Sequence, residues 1–377
     1  MRPTPEPSAV FAKSESTLAP AKINLTLRIL GRRADGFHEL ESLVVFAPFG
    51  DHLALWPGAP LELKVSGPMA AGAGPLTDNL VLRAVRALAE RIDGLKLGRF
   101  ALTKRLPSGA GLGGGSADAA AALRLIAKVN SLGLDDARIH EAARATGADI
   151  PVCLDPRSRF MRGIGEILSG PVTLPKLGIL IVHPGIAVPT GSVFKALGLT
   201  PGERCATPAL PLFFSPPPCG EGSGVGVVRG GTALPVPPDP PPQPSPRRNR
   251  VYAGSGHSIK RSKSATADFD WGEGVAPFAI ALPQAGEGGE RANREALLAW
   301  VSSERNDLQT AAIAIAPPIA DVLDAIAGLE GCRLTRMSGS GSACFGLFDS
   351  ARAAAAAAQH LAAARPSWWV RAGLLGN

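Results

Sequence analysis

Five of the seven residues from Gly109 to Gly115 are glycine, and the alanine-rich run SADAAAALRLIAKV follows at once. Glycine reaches positive φ and has no Cβ to hold a ligand away from the backbone. A helix that begins directly after such a loop turns free N–H groups and the positive end of its dipole back toward it. The pattern predicts a strand, a phosphate-cradling loop and a helix, with RFALTKRLP as the strand. A plain strand-to-helix turn would need only one or two glycines. A Walker A loop needs a lysine after its last glycine, and none follows here. Gly109, Gly111 and Gly114 satisfy the dinucleotide spacing G-x-G-x-x-G. The acid that should end a second strand about twenty residues on is matched only by Asp135 and Asp136, at a helix start.

The rest of the chain reads as mixed strand and helix, an α+β pattern. AKINLTLRIL alternates loosely and stops at Gly31, as a strand would. ELESLVVFAPFGDHLALW reads as a strand pair. DNLVLRAVRALAERI is an amphipathic helix capped by Asp78 or Asn79. Helices are expected over Ser116 to Val129 and Asp135 to Thr146, and LGILIVHPG is a buried strand. Downstream, PPIADVLDAIAGL is a helix with prolines in its first turn. CRLTRMSGSGSACFGLFD is strand, glycine turn, strand. SARAAAAAAQHLAAARP is helical by alanine's propensity.

An interruption runs from about residue 203 to 291. At its centre, Ser215 to Arg250, eleven of thirty-six residues are proline and six are glycine. Such a composition builds neither helix nor sheet, and predicts a largely disordered insertion. The formal net charge of the chain is +7, and seven basic against two acidic residues lie between Ser215 and Ala265. The basic excess belongs to the insertion, which argues against a nucleic-acid partner for the folded body. Cys153, Cys205, Cys219, Cys332 and Cys344 are odd in number and widely spaced, so free thiols are expected. No apolar run approaches the roughly 20 residues of a membrane helix, and the N-terminus lacks a signal-peptide pattern. A cytoplasmic protein without a membrane partner is expected.

Three further stretches bear on the loop. APAKINLTL places Lys22 and Asn24 on an early strand, GADIPVCL places Asp149 at a helix-to-strand turn, and RMSGSGSACFGLF supplies a second glycine turn at Gly339 to Gly341. Together with PSGAGLGGGSADAA they resemble the GHMP kinase superfamily, over about residues 18 to 202 and 293 to 377. GLGGGS, RADGFHEL, HPGIAVPTGSVFKAL and RNDLQ are similar to the branch that phosphorylates a cytidine-diphosphate-linked methylerythritol. The resemblance implies a two-lobed fold. An S5-like N-terminal ATP-binding lobe would span 18–184, after a flexible segment 1–17. A C-terminal lobe of helices on an antiparallel sheet would span 185–202 and 292–377, with 203–291 as the insertion.

It also implies the site. ATP would be the phosphoryl donor, with Mg²⁺, and no dedicated metal-ligand set is expected. The ATP phosphates would lie in the loop from Pro107 and Ser108, through Gly109, Ala110, Gly111, Leu112, Gly113, Gly114 and Gly115, to Ser116 and Ala117. Ser116 would touch phosphate or metal, or else serve as helix N-cap. Asp149 would accept the proton of the attacking hydroxyl, with Lys22 holding it ionised. On residue spacing alone the two read as a turn residue and an edge-strand lysine. Phe37, His38, Thr190 and Phe194 match positions that recognise cytidine, while aromatic residues there also suit core packing. Asn24 would bond the substrate. Asp78 and Asn79 would approach adenine or only cap a helix. The implied activity is ATP-dependent phosphorylation of a small-molecule alcohol in isoprenoid precursor synthesis, by a monomer or homodimer. The competing readings are a kinase for homoserine, mevalonate or a sugar, a module binding RNA or protein through the basic insertion, and a nucleotide-binding protein disabled by it.

Overall fold

The structure is a computed structural model that describes residues 14–205 and 289–376. These residues all fall within one compact unit. The core of the expected insertion and residues 1–13 lie outside the described residues.

The first half of the chain contributes β1 (Glu15–Asn24), β2 (Arg28–Arg32), β3 (His38–Pro57), β4 (Glu62–Ser66), α1 (Leu80–Ala89), β5 (Gly98–Thr103), α2 (Gly114–Val129), α3 (Ala137–Thr146), α4 (Ile150–Leu154), β6 (Arg159–Gly163) and β7 (Ile167–Leu168). The strands form one seven-stranded sheet organised on β3. One edge of β3 pairs antiparallel with β1 and then β2, and the other with β5 and β6. β4 lies parallel to β5. Helix α2 packs on β1 and β3 with α1 and α4 beside it. Every residue from Ala117 to Leu123 is buried. Alanines on that helix let its axis come close to the sheet, where larger side chains would hold it away.

The second half adds β8 (Leu177–His183), α5 (Thr190–Ala196), α6 (Gly289–Ser303), α7 (Gln309–Ile315), α8 (Pro318–Ala327), β9 (Cys332–Met337), β10 (Cys344–Phe348), α9 (Ala351–Ala364) and β11 (Trp369–Leu375). Its antiparallel sheet runs β11-β8-β10-β9. β8 is buried at every residue because it has a strand on each side and helix α9 against its face. Cys153, Cys205, Cys332 and Cys344 are free thiols. No helix among the described residues is long and apolar enough to cross a membrane.

Several expectations need correcting. Residues 38–57 form one strand, not a pair. The register between β1 and β3 jumps from Pro20↔Gly50 to Lys22↔Phe46, so Pro48 falls in a bulge where its missing N–H breaks no ladder bond. Glu15 to Thr17, assigned to a flexible terminus, belong to β1. Helix α2 starts at Gly114, two residues early, and its N-cap is Gly113 rather than Ser116. Asp149 sits between two helices, not before a strand. β8, placed ahead of the lobe boundary at Pro184, is hydrogen-bonded into the second sheet. At the insertion's margins, Cys205 N–H donates to Leu30 O at 2.9 Å and α6 begins at Gly289.

Candidate active site

The glycine loop spans the gap between β5 and α2, and it is pinned on its outer side. The Asp51 carboxylate, on β3, accepts the N–H groups of Arg105 and Leu106 at the loop's entry. Further on, three successive carbonyls are taken. Ala110 O accepts from Ala343 N–H at 3.0 Å, Gly111 O from the Ser338 hydroxyl at 3.2 Å, and Leu112 O from Lys22 N–H at 2.9 Å. The free N–H groups of the first turn of α2 belong to Gly114, Gly115 and Ser116, all of which line the cavity.

Two glycines are required by geometry. Gly111 has φ +73, and a Cβ there would lie 2.4 Å from Ser338 O and 2.9 Å from Gly341 N. The two glycine turns therefore touch backbone to backbone. Gly113 has φ +62, and a Cβ there would press on the Lys22 side chain at 3.1 Å.

Lys22 and Asp149 meet across that crossing, Nζ to Oδ2, at 2.9 Å. The lysine side chain is buried whereas the carboxylate is 37% exposed, so the acid is the partner open to a ligand. β1 supplies the lysine from beneath the loop, and the turn between α3 and α4 supplies the aspartate. Asn24, one strand step from Lys22 on the same face, donates from Nδ2 to the Ser42 hydroxyl at 2.7 Å. Its Oδ1 is buried without a hydrogen-bond partner among the described residues.

The β2–β3 hairpin carries Phe37, which is 57% exposed, and His38. The His38 ring lies 4.8 Å from that of Phe194 on α5, tilted by 38°. Burial, and then the nearby charge of Arg32, lower the His38 pKa, so the imidazole is neutral near pH 7. Its Nε2 is buried without a partner among the described residues. Thr190 shares a hydrogen bond with Ser340 of the second glycine turn at 2.8 Å. All of these residues line one cavity of about 1080 Å³, at the upper end for a single small ligand.

The cavity gathers Lys22, Asn24, Phe37, His38, Asp149, Thr190, Phe194 and the loop from Pro107 to Ser116. Ala117 is not among them. Its side chain is fully buried and its N–H bonds to Gly113 O. Asp78 and Asn79 both line the cavity, and Asn79 also caps α1 by accepting from Val81 N–H at 3.0 Å.

Sequence reasoning missed a buried cluster beneath Gly114. The Lys104 ammonium is shared between Asp51 and Asp118, the latter at 2.8 Å. Burial pushes the Asp118 carboxyl up to about 7, against the pull of Lys104. Burial alone would lower the Lys104 pKa, but the two carboxylates outweigh it and leave it raised. Both residues left a trace in the sequence. In RFALTK, the period-2 pattern that buries Phe100 and Leu102 also buries Lys104. Asp118 is the one acid in a run of buried alanines. Asn306, within RNDLQ, was also unassigned. Its Nδ2 donates to Met337 O and Gly339 O, both at 2.8 Å, and its Oδ1 accepts from Leu308 N–H at 3.0 Å. It thereby holds the second glycine turn in place.

The family model for the GHMP kinases N terminal domain matches residues 79–155, and that for GHMP kinases C terminal matches residues 286–366. The chain is 47% identical over 357 residues to a 4-diphosphocytidyl-2-C-methyl-D-erythritol kinase of Xanthobacter autotrophicus, covering 95% of this chain and 97% of that one. It is 44% identical over 356 residues to a kinase of the same name from Methylorubrum extorquens, covering 94% and 97%. Among solved structures, a 4-(cytidine 5'-diphospho)-2C-methyl-D-erythritol kinase superposes with a TM-score of 0.62 at 28% identity, covering 96% of this chain and all of the other.

Proposed function

The chain belongs to the 4-diphosphocytidyl-2-C-methyl-D-erythritol kinase family of GHMP kinases, and on that premise we propose that it transfers the γ-phosphoryl group of ATP to the C2 hydroxyl of 4-diphosphocytidyl-2-C-methyl-D-erythritol. The products are the 2-phosphate and ADP, on the non-mevalonate route to isoprenoid precursors. One observation carries the reading. The Lys22–Asp149 pair stands in a single cavity that is lined both by a glycine loop with its helix N-terminus and by His38 beside Phe194.

Phosphoryl transfer asks a protein for positioning and charge stabilisation. The first N–H groups of α2 and the loop backbone receive the ATP phosphates. Asp149 Oδ accepts the proton of the attacking hydroxyl, and Lys22 orients that carboxylate and offsets negative charge on the transferring group. The buried Oδ1 of Asn24, without a partner among the described residues, accepts from a substrate hydroxyl. Cytosine lies against the aromatic wall of Phe37 and Phe194, with its polar edge read by His38. Thr190 lies between the base end and the second glycine turn, where it contacts the linking phosphates.

Among the described residues no cluster of three or more His, Cys, Asp or Glu could hold a metal on its own. Mg²⁺ does not need one, because it binds through one or two oxygen ligands, water and substrate phosphates. The Ser116 hydroxyl lines the cavity and fits that mode. When bound there, the ion neutralises phosphate charge.

ADP release by the full chain, with ATP, Mg²⁺ and a panel of 4-diphosphocytidyl-2-C-methylerythritol, homoserine and mevalonate, tests the proposal. Turnover confined to the first acceptor is expected. Turnover with either of the others, and none with the first, would overturn it.

A further inference from the structure

Arg32 closes β2 and lies directly across the hairpin from His38 in the β2–β3 register. Its guanidinium donates from Nε to Gly36 O at 3.1 Å and from Nη1 to Leu199 O at 2.9 Å. Gly36 immediately precedes Phe37 and His38, and Leu199 follows the helix that carries Phe194. One side chain therefore ties together the two elements that bear the aromatic pair. The backbone reinforces the tie. Arg32 N–H donates to Glu203 O and Gly202 N–H donates to Arg32 O, both at 2.8 Å.

Among the described residues, Arg32 forms no ion pair, although it is half-buried and lines the cavity. Keeping a guanidinium there without a carboxylate has a desolvation cost. A planar fork that reaches two carbonyls at fixed angles is what arginine offers and lysine does not. A carboxylate partner would compete with those carbonyls for the fork.

We propose that Arg32 is a positioning residue for acceptor binding, setting the placement of His38 and Phe194 by tying the hairpin tip to the segment that follows α5. The proposal rests on the reading of that pair as the cytidine end. It gives Arg32 no contact with the reacting atoms. Its effect falls on acceptor binding and leaves ATP binding alone, because the glycine loop hangs from β5, β1 and the second glycine turn instead.

Steady-state kinetics on the full chain, varying ATP and 4-diphosphocytidyl-2-C-methylerythritol separately, test this with Arg32→Gln, Arg32→Lys, Phe194→Ala and the double variant Arg32→Gln/Phe194→Ala. Phe194→Ala is expected to raise the acceptor KM. Loss of the fork in Arg32→Gln is expected to raise it about tenfold, the equivalent of one charged hydrogen bond. Its kcat and ATP KM should stay within about twofold. The double variant should exceed Phe194→Ala by well under the tenfold of Arg32→Gln alone, because only His38 is then left for the tie to place. Arg32→Lys, with charge but no fork, should fall between wild type and Arg32→Gln.

An unchanged acceptor KM in Arg32→Gln, with Phe194→Ala raised, would overturn the tie and leave the cytidine reading standing. Unchanged acceptor KM in Phe194→Ala as well would overturn both. Multiplying effects in the double variant, or a parallel rise in ATP KM with a lowered melting temperature, would make Arg32 a general stabiliser and refute the proposal. Wild-type behaviour of Arg32→Lys would refute the fork.

Discussion

Gly111→Ala is the substitution to which the site's geometry is most sensitive. The residue holds φ +73, and its new Cβ would lie 2.4 Å from Ser338 O and 2.9 Å from Gly341 N. The left-handed conformation alone costs an alanine roughly 1–2 kcal/mol. Ordinary carbon–oxygen contact begins near ~3.3 Å, so the two glycine turns must separate by nearly ~1 Å. Neither contact atom is the end of a flexible side chain, and the Ser338 hydroxyl bond to Gly111 O at 3.2 Å is stretched in the same movement. A displacement of ~1 Å in a positioned site lowers turnover by about a hundredfold. The expected result is a kcat reduced by about two orders of magnitude, with a stability loss of ~2–4 kcal/mol in urea unfolding. Gly115→Ala is the control. Gly115 lies in the first turn of α2, where a Cβ would meet only Leu80 Cδ1 at 3.3 Å, so it should keep or gain stability. If Gly111→Ala retained wild-type kcat and unfolding midpoint, the backbone contact between the turns would have no role in holding the site.

Asp118→Asn should change how stability depends on pH. The folded carboxyl is pushed up to about 7 by burial, so between the ordinary carboxylate range and pH 7 the folded protein holds a proton that the unfolded chain has lost. Stability from this group is full below the unfolded value and falls as pH rises toward 7, by at most ~1.4 kcal/mol per unit. Thermal melts from pH 5 to 8 should slope less in the variant, and identical slopes would contradict the assignment. Asn306→Ala removes two donors from buried carbonyls at 2.8 Å and should cost ~2–4 kcal/mol in chemical denaturation, with a fall in kcat. A loss below ~1 kcal/mol would mean that the second glycine turn holds itself.

The glycine loop, the two helices around it and the alternating strands were legible because each rests on local pattern. Glycine density, alanine propensity and period-2 burial act over a few residues. β3 was not legible as a single strand, since Pro48 and Gly50 sit in the middle of its apolar pattern. What keeps it continuous is a bulge against β1, a partner more than twenty residues away in sequence. Lys22 and Asp149 were found by resemblance to a family, while their separation of 2.9 Å is a tertiary fact that no spacing encodes. The Lys104 cluster shows the reverse case. Lys104 and Asp118 sat at positions whose periodicity implied burial, and a buried charge implies a partner. Arg32 and Asn306 act through backbone carbonyls, which carry no side-chain identity to read.

The central claim is that Asp149 takes the proton while the loop and the aromatic end only hold the reactants. Single-turnover transfer of labelled γ-phosphoryl by Asp149→Asn, alongside the dissociation constants of ATP and acceptor, tests it most directly. Loss of a positioned base should slow the chemical step by about 10²–10⁴-fold, with both dissociation constants near wild type. A transfer rate within about tenfold of wild type would remove Asp149 from the proton's path and contradict the account.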